Sequence, residues 1–91
     1  MRKLFVLVRG DLSKSQQAVQ AGHAVANACL AGVEWGNGTL VYLKVRDLDE
    51  LNEWFAKSEK AFPFYEPDIG SEMTAFSVLG ELEGFEQLRL L

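Results

Sequence analysis

The side chains that could do chemistry fall in two places. The first is a polar stripe. Gln16, Gln20, His23 and Asn27 lie at i, i+4, i+7 and i+11 of residues 15–32, so a helix puts them on one face. The rest of that stretch is Ala, Val, Gly and other small or apolar residues, with no charge between Lys14 and Glu34. It reads as a buried or interface helix with an uncharged polar seam. Buried amides and imidazole need partners, so the seam should face a bound group, a second subunit or other polar residues. The second place is Glu66-Pro67-Asp68, where Asp68 follows a proline and precedes Gly70. A turn stiffened in this way holds a carboxylate in a fixed direction, either toward a ligand or in an Asx-turn with its own backbone.

Other groups read as structural. A lone histidine on a small-residue helix, as His23 is, reads first as a structural histidine and only then as a catalyst. Cys29, flanked by Ala28 and Leu30, reads as an inert buried thiol. One His and one Cys, six apart, make no metal site by themselves. No Ser or Cys stands in a strand–turn–helix elbow of the hydrolase type. The junction from Gly10 into the helix could take a phosphate at the helix N-terminus, but it lacks a glycine-rich loop. Phe62, Phe64, Tyr65 and Phe76 read as core rather than as a base-stacking platform.

The elements that must position these groups follow from pattern. Residues 4–9 (LFVLVR) form a continuous apolar run, the mark of a strand covered on both faces. Ser13 or Ser15 caps the small-residue helix, and Gly32 with Gly36-Asn37-Gly38 ends it. Residues 39–46 (TLVYLKVR) are a second strand. Asp47 or Asp49 caps an amphipathic helix over residues 48–60. Residues 62–67 are a short strand whose two prolines either keep it from the sheet interior or confine its pairing to the part between them, and residues 74–79 (TAFSVL) are a fourth, with Phe76 and Val78 on one face and Ala75, Ser77 and Leu79 on the other. The apolar end, residues 88–91, reads as a docked terminal segment. The order β-α-β-α-β-β predicts an α/β domain with a mostly parallel sheet and one antiparallel pair. In such a sheet ligands gather beyond the carboxyl ends of the strands, where Arg9 through Lys14, Arg46-Asp47 and Glu66-Pro67-Asp68 should meet.

Bulk properties set the class. The 91 residues make one domain, 1–91, with 48% hydrophobic and 24% charged residues. The net charge of −4 argues against a broad electrostatic footprint for nucleic acid, though Lys3, Arg9, Lys14, Lys44 and Arg46 are all in the first half. No run approaches the ~20 apolar residues of a membrane span, so no membrane association is expected and a cytoplasmic location is the default. So small a core, with so much small-residue helix, favours a homodimer.

Taken in order, the segments resemble the archaeal and eukaryotic type of peptidyl-tRNA hydrolase, and its compact branch in particular. The residues that carry the likeness are the strand ending in Arg9, Asp11-Leu12, Lys14, and Val19-Gln20-Ala21-Gly22-His23-Ala24. LVYLKV, Asp47-Leu48-Asp49-Glu50-Leu51, Asp68-Ile69-Gly70, Ser77-Val78-Leu79-Gly80 and the terminal Leu88-Arg89-Leu90-Leu91 follow the family's later segments. The chain departs from the family in a shorter loop before the helix, with Gln16 where a second lysine would stand, and in Glu72 after the Asp68 turn. The resemblance implies a three-layer α/β/α domain with a four-stranded mixed sheet, a homodimer, and hydrolysis of the ester between a peptide and the tRNA 3′ end. It implies that Asp68 orients or deprotonates the attacking water and that Lys14 stabilises the developing oxyanion or a nearby phosphate. It further implies that Thr74 or Ser77 bonds the substrate, that His23 with Gln20 supports the site floor, and that no metal or organic cofactor takes part. The alternatives are a non-catalytic member of the fold that binds a protein or small ligand, and a homodimeric domain whose seam packs at the interface.

Overall fold

The computed structural model describes residues 2–91. Its strands are β1 (Lys3–Arg9), β2 (Thr39–Val45), β3 (Ala61–Glu66), β4 (Glu72–Leu79) and β5 (Arg89–Leu90); its helices are α1 (Lys14–Leu30) and α2 (Leu48–Lys57). The strands form one mixed sheet in the order β3-β4-β1-β2-β5. The apolar run of β1 sits at the centre, with Leu4, Val6, Leu7 and Val8 fully buried, as a strand covered on both faces should be.

Two features of the sheet differ from expectation. Among the described residues there are five strands, not four: the terminal segment adds β5, which pairs antiparallel to β2 with Leu43 opposite Leu90 and Lys44 opposite Arg89. The sheet is also mostly antiparallel. β1, β2 and β3 run the same way, as the β-α-β-α-β order predicts, but β4 inserts between β1 and β3 and runs against both, so only β1 and β2 are parallel neighbours. The proline-bearing β3 lies at the sheet edge, where a missing N–H does no harm.

The two faces are covered unequally, and the three layers are not matched in full. On one face Val6, Val8 and Ala75 pack against Ala21 and Ala24 of α1. These small residues let the helix approach closely. On the other face Phe5, Leu7, Leu43, Val45, Phe76 and Val78 pack with Leu51 of α2 and with Phe85, which comes from a short 3-10 turn over Phe85–Gln87. That layer is therefore part helix and part loop. The Phe85 ring lies 5.2 Å from both Phe5 and Trp54, close enough to tie the loop to strand and helix alike.

Local chemistry explains the element ends. Ser13 caps α1, its hydroxyl accepting from the Gln16 N–H, and Asp47 caps α2 by accepting from the Glu50 N–H. The second helix stops at Lys57, short of the expected residue 60, because Ser58 turns extended and Ala61 is already in β3. The first helix is less buried than its composition suggests. Only Gln17, Gln20, Ala21, Ala24 and Ala28 are buried, while Val19 and Leu30 are 50% and 86% exposed. Cys29 is likewise exposed, not buried, because it falls one position past the Ala21-Ala24-Ala28 stripe that meets the sheet. Tyr65 of the aromatic group is half exposed, whereas Phe76 is core. Among the described residues no helix is long and apolar enough to cross a membrane.

Candidate functional site

The carboxyl ends of β1, β2 and β3 lie at one end of the sheet with the amino end of β4. There a cleft of about 360 Å³ opens between the start of α1 and the turn after β3. Gln16, Val19 and Gln20 line one side, Glu66, Asp68 and Ile69 the other, and Leu12 completes the lining. The start of α1 is fixed by Ser13 and by Gln17, whose amide donates to the Leu12 carbonyl at 2.7 Å and the Gly10 carbonyl at 3.3 Å.

Gln20 is the hub of this cleft. It is 1% exposed, and its whole amide is engaged. Nε2 donates to Gln16 Oε1 at 3.0 Å and to Glu66 Oε2 at 2.8 Å, while Oε1 accepts from Thr74 Oγ1 at 2.9 Å. The other Glu66 oxygen accepts from the Asp68 N–H at 3.2 Å. The Gln20 amide, and after it the Asp68 N–H, hold the Glu66 carboxyl below its ordinary range, so Glu66 stays ionised as an anchor for the turn. The turn is a single 3-10 turn over Pro67–Ile69, ended by Gly70 in the left-handed region at φ 69°. The Ser71 N–H closes it onto the Glu66 carbonyl at 3.0 Å.

Two groups in the lining keep capacity for a ligand. Among the described residues the Asp68 carboxylate makes no hydrogen bond or ion pair, although its backbone is tied to Glu66. Gln16 accepts from Gln20 through its carbonyl, which leaves its own amide hydrogens for another acceptor. A carboxylate and an amide donor across a partly apolar cleft suit activation of a water beside a polarised carbonyl.

The other residues singled out in the sequence are placed as follows. Thr74 is fully buried behind Gln20 and reaches the cleft only through it. Ser77 is also fully buried, and its hydroxyl donates to the Ala24 carbonyl at 2.7 Å, pinning α1 to β4. His23 is exposed and stacks on Phe64, with ring centroids 4.2 Å apart and planes 9° from parallel. Lys14, the first residue of α1, is exposed and lies outside the cleft lining. The structure thus brings Gln20, Thr74 and Asp68 together through Glu66, and leaves Lys14, His23 and Ser77 apart from the cleft.

The seam faces other polar and aromatic groups, most of them on one strand. Gln20 meets Glu66, His23 meets Phe64, and Asn27 donates to the Pro63 carbonyl at 2.8 Å, so the seam tracks the edge strand β3. Glu66 and Gln16 lie in segments that the sequence brought to the site, but the sequence assigned neither a role of its own. The signal for Gln16 was its i, i+4 relation to Gln20; for Glu66 it was only its place at the strand end before Pro67. Arg9 is a buried clamp. It donates to both Asp11 oxygens at 3.0 and 2.9 Å and to Glu72 at 2.7 Å, joining the exit of β1 to the entry of β4. The hydrogen bonds that Arg9 donates to Asp11 do most to hold the guanidinium charged, and the same bonds lower the Asp11 carboxyl.

No protein-family model matches the chain, and no curated protein matches it significantly. A functional reading therefore stands on the cleft's own chemistry and on the resemblance of individual segments.

Proposed function

We propose that the cleft hydrolyses the ester between a peptide and the 3′ end of a tRNA, the activity implied by the likeness of its segments to the archaeal and eukaryotic peptidyl-tRNA hydrolases. The observation that carries this reading is the free Asp68 carboxylate, held on a turn whose preceding residue, Glu66, is anchored to the buried Gln20–Thr74 pair. Asp68 accepts a proton from a water as that water attacks the ester carbonyl carbon. The tetrahedral oxyanion takes a hydrogen bond from the Gln16 amide, with Lys14 supplying longer-range positive charge; as it collapses, the protonated Asp68 returns its proton to the departing 3′ oxygen, which leaves as the 3′ hydroxyl of the tRNA while the peptide carboxyl is freed. Leu12, Val19 and Ile69 give an apolar wall for the acyl side. Glu66, Gln20 and Thr74 act as positioning residues, with His23 and Ser77 holding α1 against β3 and β4. No metal or organic cofactor enters these steps.

A second reading has one observation in its favour: the cleft lining contains two carboxylates, Glu66 and Asp68, and no cation. On that reading the cleft binds a ligand without cleaving it. Peptide release from a peptidyl-tRNA separates the two. The wild type should release peptide, and Asp68→Asn should be slower by about 10²-fold or more, the usual contribution of a positioned general base. No release by the wild type would overturn the hydrolase reading and leave the binding one. Release unchanged by Asp68→Asn would overturn the assignment of the base.

A further inference from the structure

A second cleft at the same end of the sheet has the opposite charge. It encloses about 430 Å³ between the end of β2 and β5, and Lys44, Arg46 and Arg89 line it with Gly10, Glu50 and Gln87. We propose that this cleft binds a phosphate group, held by Lys44, Arg46 and Arg89. It stands on its own geometry, independent of ester hydrolysis in the first cleft.

The strongest observation is a pairing that the fold alone does not favour. Lys44 and Arg89 are directly opposite each other in the antiparallel β2–β5 ladder, so their side chains leave the same face side by side. Like charges at such a position repel and weaken a ladder that is only two residue pairs long. The chain has 13 acidic residues against nine basic ones, so carboxylates are plentiful. Yet among the described residues neither Lys44 nor Arg89 has an ion pair; the bridges that form are those of Arg9 with Asp11 and Glu72 and of Arg46 with Glu50. Even the last is long, at 3.5 Å, and the Glu50 oxygen involved also accepts from the Arg46 N–H at 2.7 Å. Three cations thus face one carboxylate that is already engaged, in a protein of net charge −4.

Gly10 contributes to the shape of the cleft. Its N–H donates to the Val45 carbonyl at 2.7 Å, and a Cβ built on it would lie 2.9 Å from Lys44 Cγ and Cδ. The bare backbone lets the Lys44 stem lie across the exit of β1. An anion seated between Lys44 and Arg89 would turn their repulsion into a bridge. A phosphate fits best: it carries enough charge for three cations, an arginine can grip two of its oxygens at once, and a lysine adds a point charge. The phosphate could be that of an RNA backbone or of a small phosphate compound, and the test separates them.

The probes are a fluorescently labelled single-stranded oligoribonucleotide, followed by anisotropy, and inorganic phosphate, followed by NMR shifts of the Lys44 and Arg89 resonances. For RNA held by three contacts, log K should fall with log salt at a slope of about −2, since each single-strand contact contributes about 0.7. Lys44→Gln with Arg89→Gln should weaken binding about tenfold or more and reduce the slope by about 1.4. Arg89→Lys should restore part of the loss. The melting temperature of the double glutamine variant should not fall, because the change removes a repulsion; this readout separates a binding role from a structural one. RNA binding that depends on both residues assigns the site to a polynucleotide backbone. Residue-specific shifts with inorganic phosphate alone assign it to a small phosphate compound. No response to either probe, or an affinity unchanged in the double variant, overturns the proposal. The RNA carries no peptidyl ester to cleave, so failure here and failure of hydrolysis are read separately.

Discussion

The hydrogen bond between Thr74 and Gln20 should be measurable as a coupling, and its size follows from the burial of both partners. Thr74→Val keeps the shape of the side chain but removes the donor, leaving the buried Gln20 Oε1 without the Thr74 hydroxyl. A buried acceptor left unpaired costs about 1–3 kcal/mol, and the added methyl recovers a little, so about 1.5 kcal/mol is expected. Gln20→Leu removes the same bond together with the one to the ionised Glu66, and should cost about 2–3 kcal/mol. Thr74 keeps a fallback in that variant, the Phe64 carbonyl at 3.5 Å. The double variant replaces both buried partners by apolar groups, so it should lose less than the sum of the singles by about 1–1.5 kcal/mol. Urea unfolding followed by tryptophan fluorescence gives the three values. For a domain of this size the Thr74→Val loss corresponds to a fall in melting temperature of about 6–12 °C. The same variants report on the site. The Gln20 amide is the largest cause of the lowered Glu66 carboxyl, so Gln20→Leu should raise the Glu66 titration in carbon-detected NMR, whereas Thr74→Val should move it far less. Energies additive to within about 0.5 kcal/mol would refute the coupling. An unmoved Glu66 titration in Gln20→Leu would refute Gln20 as the group that keeps Glu66 ionised.

Two further outcomes follow from contacts elsewhere. Because Arg9 lowers the Asp11 carboxyl in the folded state, Asp11 contributes stability that is fully present above its unfolded value of about 3.9 and is lost as the pH falls through the folded one; Asp11→Asn should flatten that part of a melting-temperature profile taken from pH 6 to pH 2. Gly10→Ala places a Cβ 2.8 Å from the Val45 carbonyl oxygen and 2.9 Å from the Lys44 stem, so it should lower stability by about 1–3 kcal/mol, read as a lower urea midpoint at unchanged slope.

What the sequence made legible was local. The dense apolar run of β1 reads as a covered strand, and the cap chemistry narrowed each helix start to two residues, Ser13 or Ser15 and Asp47 or Asp49, of which Ser13 and Asp47 do the capping. Sheet order was not local. Nothing in residues 72–79 says that β4 will pair with β1 as well as with β3, because that choice is made between segments far apart in the chain. The two-residue β5, both of whose residues are exposed, is too short to show a period. Composition also misled for α1. Alanine packs against a sheet or faces water at little difference in cost, so a helix rich in it looks buried all round. Only the spacing of Ala21, Ala24 and Ala28 marks the face that meets the sheet, and Cys29 lies off it.

The cleft depends on an irregularity that alternation could not reveal. Opposite β3, the register passes from Phe64–Ala75 to Tyr65–Met73 and skips Thr74. In a regular strand Thr74 would share a face with Phe76, on the α2 side. The bulge instead turns its hydroxyl to the α1 side, next to Ala75, where it meets Gln20. The polar seam was visible because Gln16, Gln20 and Asn27 are uncharged and helically spaced, but its partners lie on β3 and β4, 36 to 54 positions away in sequence. Of the partners open to the seam, Gln20 meets other polar residues. With both ends of its amide committed, Gln20 can offer a ligand little; it fixes Glu66, Glu66 fixes the turn, and the turn leaves Asp68 free. On this chain of contacts, a change that restores regular pairing at Thr74 would disturb Asp68 without touching it.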